Sequence, residues 1–207
     1  MSNKTGFQVE RIAFFSDAVF AIAITLMIIE VKPPHLHLET TTHEALTELG
    51  HITPMFVGVI LSFVFIGLFW LRHHQLMQYV TNYNGKLIAL NMAFLLMIVF
   101  LPFSTAFVFE NSQVHTPVPM VFYNINYILA AFLNYRFFAY VLDKRNGLVL
   151  PDAPNIKEYK PDLLFPILVY ALVACVALVN VRYAPLFYAA FALQGLFNKK
   201  QKTAKPA

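Results

Sequence analysis

The sequence predicts an all-α integral membrane protein with six transmembrane helices per chain, on three observations. Hydrophobic residues make up 58% of the chain and charged residues 13%, where a soluble domain carries roughly 25% charged residues. The apolar residues fall into blocks close to the roughly 20 residues that a helix needs to cross a bilayer. The basic residues gather in alternate loops between those blocks, as the inside bias of Lys and Arg requires.

The first block covers 7–31 and stops at Lys32-Pro33-Pro34. The others lie at 52–71, 87–109, 118–142, 163–180 and 184–197, the last being short for a span. Residues 1–197 read as a single membrane unit, and 198–207 as a basic tail with too few apolar residues to pack. The stretch 35–50 is polar and acidic, with a helix-like segment at 43–49 expected at the membrane surface. The proline- and charge-rich stretch 143–161 reads as a loop. The first block holds Asp17 and runs to Ile29 without a clear cleavage site, so it reads as a retained helix rather than a signal peptide.

With the N-terminus inside, Lys4, Arg11, Arg72, Lys86, Arg136, Lys144, Arg145, Lys157, Lys160, Lys199, Lys200, Lys202 and Lys205 are inside, which leaves Lys32 and Arg182 outside. One missed span would swap every later loop, so this division supports the helix count. It predicts a multi-pass protein of the cell membrane with both termini cytoplasmic. The outer loops hold Glu39, Glu44, Glu48 and Glu110. The net charge of +4 is therefore read as topology and not as a nucleic-acid surface. The lone Cys175 sits in an apolar run and zinc spacings are absent, so no disulfide, metal site or cofactor is expected.

Ionisable residues inside a span are costly and usually have a function. The first block has the polar or ionisable residues Glu10, Arg11, Ser16, Asp17 and Thr25. On a helix turning about 100° per residue, Phe15, Ala18, Thr25, Leu26 and Ile29 all lie within about 60° of Ile22, while Ser16 and Asp17 point away. One face is thus an apolar stripe with a hydroxyl beside it. The other must find polar partners, since a carboxylate in hydrocarbon without them costs several kcal/mol. Arg11, Trp70, His73, His74 and Asn91 are the candidates, with His73 or His74 expected to bond near Ser16 and Asp17. By periodicity alone the stripe is equally a lipid-facing or packing face, and the polar set equally a clamp that fixes helix packing. His35, His37, His43 and His51 cluster in the outer loop, where a solvated role is expected.

The run Arg11-Ile12-Ala13-Phe14-Phe15-Ser16-Asp17, followed by Ala18-Val19-Phe20-Ala21-Ile22-Ala23-Ile24-Thr25-Leu26, closely resembles the first helix of the transmembrane protein 175 family of endo-lysosomal potassium channels, in its prokaryotic form. Phe69-Trp70 and His73-His74 add weaker support. The resemblance implies one six-helix unit per chain, a homotetramer in the lipid bilayer, and a pore surrounded by the four first helices. It implies an apolar constriction that maps to Ile22, with further rings at Leu26 and Ile29, and a layer of hydroxyls at Thr25. It also implies that Arg11, Phe15, Ser16 and Asp17 hold the first helix against its neighbours. The T-V-G-Y-G carbonyl filter of other potassium channels is absent from both family and chain. The expected activity is potassium-permeable, moderately selective cation conduction, without enzymatic chemistry. The alternative is a cation- or proton-coupled transporter using Asp17, against which stand the missing inverted repeats.

Overall fold

The computed structural model describes residues 2–191, with side-chain surroundings from residue 6 onward. Six α-helices follow in chain order: α1 Ser2–Ile29, α2 Thr42–His51, α3 Thr53–Met77, α4 Gly85–Glu110, α5 Val118–Val141 and α6 Ile156–Val179. Short 3-10 turns follow α5 at Lys144–Asn146 and α6 at Ala184–Ala189. The described residues form an all-helical structure, as the sequence predicts.

By length and composition, Gly6–Ile29, α3, α4 and α6 are apolar enough to cross a membrane, four candidates among the described residues. The fourth expected span, α5, has 24 residues but is diluted by asparagine and tyrosine. Those polar side chains face inward: Asn124, Asn126, Asn134, Tyr123 and Tyr127 are all buried. Mean hydropathy understates a helix whose polar groups are satisfied by protein. The sixth expected block, 184–197, opens with the 3-10 turn, and its part from 192 onward lies outside the described residues, as does the basic tail.

Two boundaries differ from expectation. The second apolar block continues past Leu71 to Met77, because Arg72, His73 and His74 are carried inside the helix and His73 is wholly buried. The block expected at 163 starts at Ile156, within the segment read as a loop. There Asn155 and Glu158 form a reciprocal capping box, which satisfies orphan amides of the first turn. Pro161 then sits inside α6 and forfeits one intrahelical bond without ending the helix. The short surface helix is present as α2, capped by a box between Thr41 and Glu44 and with no buried residue.

α5 packs between α4 and α6, while α1 packs on α3 and α4. α1 is the most peripheral of the four apolar helices: 22% of its most apolar stretch is buried, against 50% for α4. At one end of the bundle the α3–α4 and α5–α6 connections meet, through an antiparallel bridge between Val80 and Val149 and bonds from Thr81 N and Asn82 N to Leu148 O. Lys86, Lys144, Arg145 and Lys157 belong to this end. At the other end the α3 and α5 N-termini, the α4 C-terminus and the segment after α6 gather around a shared cavity, and Lys32 pairs with Glu110.

Candidate functional site

α1 is split into two faces by what its side chains touch. Val9, Ser16, Phe20, Ala23 and Met27 are buried. Relative to Ile22 they lie about 100–160° round the helix axis. Phe20 fixes this face, its ring 5.7 Å from His73 and 5.9 Å from Phe94. The opposite face carries Phe15, Ile22, Leu26 and Ile29, which are 49%, 58%, 41% and 69% exposed. The Ile22 stripe thus lies opposite the packing face, and the interior of this chain does not contain it.

Thr25 stands beside the stripe and is exposed. Its hydroxyl lies 2.9 Å from Ala21 O and 3.0 Å from Ile22 O. The hydroxyl proton is therefore donated back to its own helix. The oxygen keeps lone pairs free on the outward side.

On the packing face a directed hydrogen-bond chain joins three helices. His73 Nε2 is 3.0 Å from Asn91 Oδ1. Asn91 Nδ2 donates to Ser16 Oγ at 2.9 Å, and Ser16 Oγ donates to Ile12 O at 2.9 Å. Because Asn91 Oδ1 only accepts, the chain requires a proton on His73 Nε2. All three side chains are buried. His73 Nδ1 has no partner among the described residues. Its ring is stacked on Phe137, 5.5 Å between centroids at 8°.

A second link runs from Trp70 Nε1, which donates to Asp17 Oδ1 at 2.9 Å. His74 supports Trp70 by stacking on it, 5.4 Å between centroids. Ser16, Asp17, Trp70, His73, His74 and Asn91 are thus brought together at one level of α1, α3 and α4. Arg11 and Phe15 are not. Among the described residues Arg11 Nη1 reaches only Gln8 Oε1, at 3.5 Å, and lies over the Phe7 ring at 5.9 Å. Phe15 turns outward on the Ile22 side.

A further polar network stands nearer the other end of the bundle and was not anticipated. Thr105 Oγ1 donates to Ser62 Oγ at 2.9 Å, and Ser62 Oγ lies 3.1 Å from Tyr123 Oη. Asn126 Nδ2 donates to Ser104 Oγ at 2.7 Å. These bonds tie α3, α4 and α5. Single hydroxyls and amides in apolar blocks give no periodic signal, so sequence alone could have shown only that such residues need partners.

The four outer-loop histidines do not form a ligand set. His51 lines a cleft of about 580 Å³ with Glu30, Lys32 and Glu110. Among the described residues, no group of three His, Cys, Asp or Glu is placed to hold a metal ion.

Comparison with known proteins bears on these features. The sequence profile of the family described as endosomal/lysosomal potassium channel TMEM175 matches residues 11–102, which contain every candidate site residue from Arg11 to Asn91. A potassium channel of Streptomyces collinus is 31% identical over 191 residues, covering 90% of this chain and 89% of that protein. The endosomal/lysosomal proton channel TMEM175 of Gallus gallus is 37% identical over 94 residues, covering 42% of this chain and 19% of that protein. The crystal structure of a lysosomal potassium-selective channel TMEM175 homologue from Chamaesiphon minutus superimposes with a TM-score of 0.77 at 23% identity, covering 92% of this chain and 97% of that chain.

Proposed function

This chain belongs to the TMEM175 family, and from that premise we propose that it is a potassium-permeable, moderately selective channel of the cell membrane. Four copies surround a central axis, each contributing α1 to the pore wall, with both termini in the cytoplasm. The family is one of ion channels and not of enzymes. The Streptomyces relative, described as a potassium channel, matches along most of both chains.

The observation that carries the pore assignment is the opposition of the two α1 faces. Ile22, Leu26 and Ile29 are exposed on one side, while the other side is bound to α3 and α4 by the Ser16–Asn91–His73 chain and the Asp17–Trp70 bond. A helix fixed so firmly by its back offers a stiff front. The spacing i, i+4, i+7 sets three apolar rings about one turn apart along the axis. Such rings can close a pore by dewetting. Isoleucine supplies no oxygen to replace an ion's hydration, so discrimination is weaker than in a carbonyl cage. Thr25, whose oxygen is free on the outward side, supplies the nearest oxygen layer. The acidic outer loop, with Glu39, Glu44 and Glu48, raises the local cation concentration.

Planar-bilayer recording of the purified chain under opposed potassium and sodium gradients tests this reading. Unitary currents reversing on the potassium side are expected. Slow, saturable flux without unitary events would instead support the coupled transporter that uses Asp17. The description of the Gallus gallus relative as a proton channel favours one second reading, proton permeation through the same pore. The same recording under a pH gradient separates it.

A further inference from the structure

The wide end of the bundle contains a cavity of about 850 Å³ that lies apart from the α1 face. It falls within the 300–1,000 Å³ range of small-molecule sites. Val57, Met120, Val181 and Pro185 line it with apolar surface, and Gln113, His115 and Arg182 are polar residues of its lining. Among the described residues no Asp or Glu lines it, and Arg182 is its one formal charge. The adjoining cleft is different in kind: it holds Glu30 and Glu110, and Lys32 there is paired with Glu110 at 3.8 Å.

Arg182 runs against the charge rule of the chain, being one of two basic residues at an end that otherwise collects glutamates. Lys32 has a carboxylate to explain it. Among the described residues the Arg182 guanidinium takes part in no ion pair or hydrogen bond, and its backbone N is bonded to Asn180 Oδ1 at 3.1 Å. An arginine fork beside an acid-free, amphipathic cavity suits a phosphodiester, which it binds by charge-assisted bonds. The cavity lies at the ends of α3, α4, α5 and α6, which is headgroup level for spans of these lengths. Its apolar wall suits acyl chain.

We propose that this cavity is a binding site for an anionic phospholipid of the outer leaflet, with the phosphate on Arg182 and the glycerol and upper acyl chain along Val57, Met120 and Val181. The proposal rests on the membrane orientation given above and adds a lipid site distinct from the pore.

Native mass spectrometry of the full purified chain in mild detergent tests it, with added phosphatidylglycerol, phosphatidylcholine or inorganic phosphate. The parent is expected to retain phosphatidylglycerol over phosphatidylcholine, and Arg182→Gln to lower that retention about tenfold. Arg182→Lys should keep an intermediate share. Equal retention of phosphatidylglycerol by the parent and Arg182→Gln overturns the proposal, as does equal retention of the two lipids by the parent. Displacement of the lipid by millimolar phosphate also overturns it, since the site would then take a free anion. Currents from Arg182→Gln test the channel reading separately: conduction that persists while lipid retention is lost separates the two.

Discussion

Trp70 Nε1 and Asp17 Oδ1 are 2.9 Å apart across a sequence separation of 53 residues, and this bond joins α3 to the one acidic side chain in the middle of α1. Asp17 points away from the Ile22 stripe. In the proposed channel it would therefore act on the permeation path through the position of α1 and not by meeting ions there. Trp70→Phe removes the donor while keeping most of the ring. A bond to a charged group contributes about 1.5–3 kcal/mol, and Trp70 is 37% exposed, so a loss at the low end of that range is expected. Asp17→Ala should cost more and reduce oligomer recovery on size exclusion. Intact oligomers with altered ion preference in Asp17→Ala would assign the carboxylate a direct ionic role.

Asn91 should matter more than Ser16. Asn91 bridges His73 and Ser16, so its truncation to alanine strands His73 Nε2 and weakens the seat of α1 at once. Each buried polar group left unsatisfied costs about 1–3 kcal/mol. Asn91→Ala is expected to lower stability by about 2–4 kcal/mol, and Ser16→Ala by about 1 kcal/mol. Thermal unfolding of the two variants and of the double variant measures the coupling. Additive losses would show that the three groups do not act as one chain.

The sequence made the α1 machinery legible because it is local. A helical period separates the Ile22 stripe from Ser16 and Asp17, and the need of Asp17 for partners pointed to Trp70, His73 and Asn91 at matching depth. Arg11 fitted that list by depth as well, but nothing in one chain's sequence says that its side chain turns to Gln8 and Phe7. The boundaries that were misread have one physical cause. Polar residues suggest helix ends in sequence, whereas His73 is buried inside α3 and Lys157, Glu158 and Lys160 sit within the first turns of α6. The inner hydroxyl network and the Arg182 cavity depend on contacts between distant segments, and no period records them.

Gly58 is required by the close approach of Phe109. A Cβ at this position would overlap the Phe109 ring, and Phe109 lies in the linings of both outer cavities. Overpacking a fitted core costs about 1–3 kcal/mol. Gly58→Ala should lower the melting temperature, and Phe109→Ala in the same chain should restore part of it. Failure of that second change to relieve the first would place the strain elsewhere.

The α2 cap should be sensitive to acid. Thr41 N and Thr41 Oγ1 both donate to Glu44 Oε2, at 2.8 and 2.9 Å, and these bonds hold the Glu44 carboxyl below its ordinary range. A depressed carboxyl stabilises the folded form fully above the ordinary glutamate value of about 4.3. That contribution is lost as pH falls through the lower folded value. The protection of Thr42–His51 against hydrogen exchange, relative to the intrinsic rate at each pH, should therefore fall on acidification below about pH 4, and Glu44→Gln should blunt the response. Because α2 has no buried residue, the rest of the bundle should hold its protection over the same range.

Ile22 gives the sharpest division between stability and conduction. It is 58% exposed on the side of α1 away from α3 and α4, so within one subunit its truncation removes little packing. Surface substitutions of that kind usually change stability by less than about 0.5 kcal/mol. In the proposed pore the same side chain would form one of the apolar rings that set its width. Ile22→Ala and Ile22→Asn should therefore leave the unfolding of the subunit almost unchanged, raise unitary conductance and bring the potassium and sodium permeabilities closer together. The asparagine should act more strongly, because its amide holds water where isoleucine sheds it. Leu26→Asn and Ile29→Asn should do the same more weakly, if Ile22 is the narrowest of the three. Reversal potentials and conductance that match the parent in every one of these variants would remove α1 from the permeation path, since no other property of an exposed isoleucine predicts the pairing of an unchanged fold with an altered current.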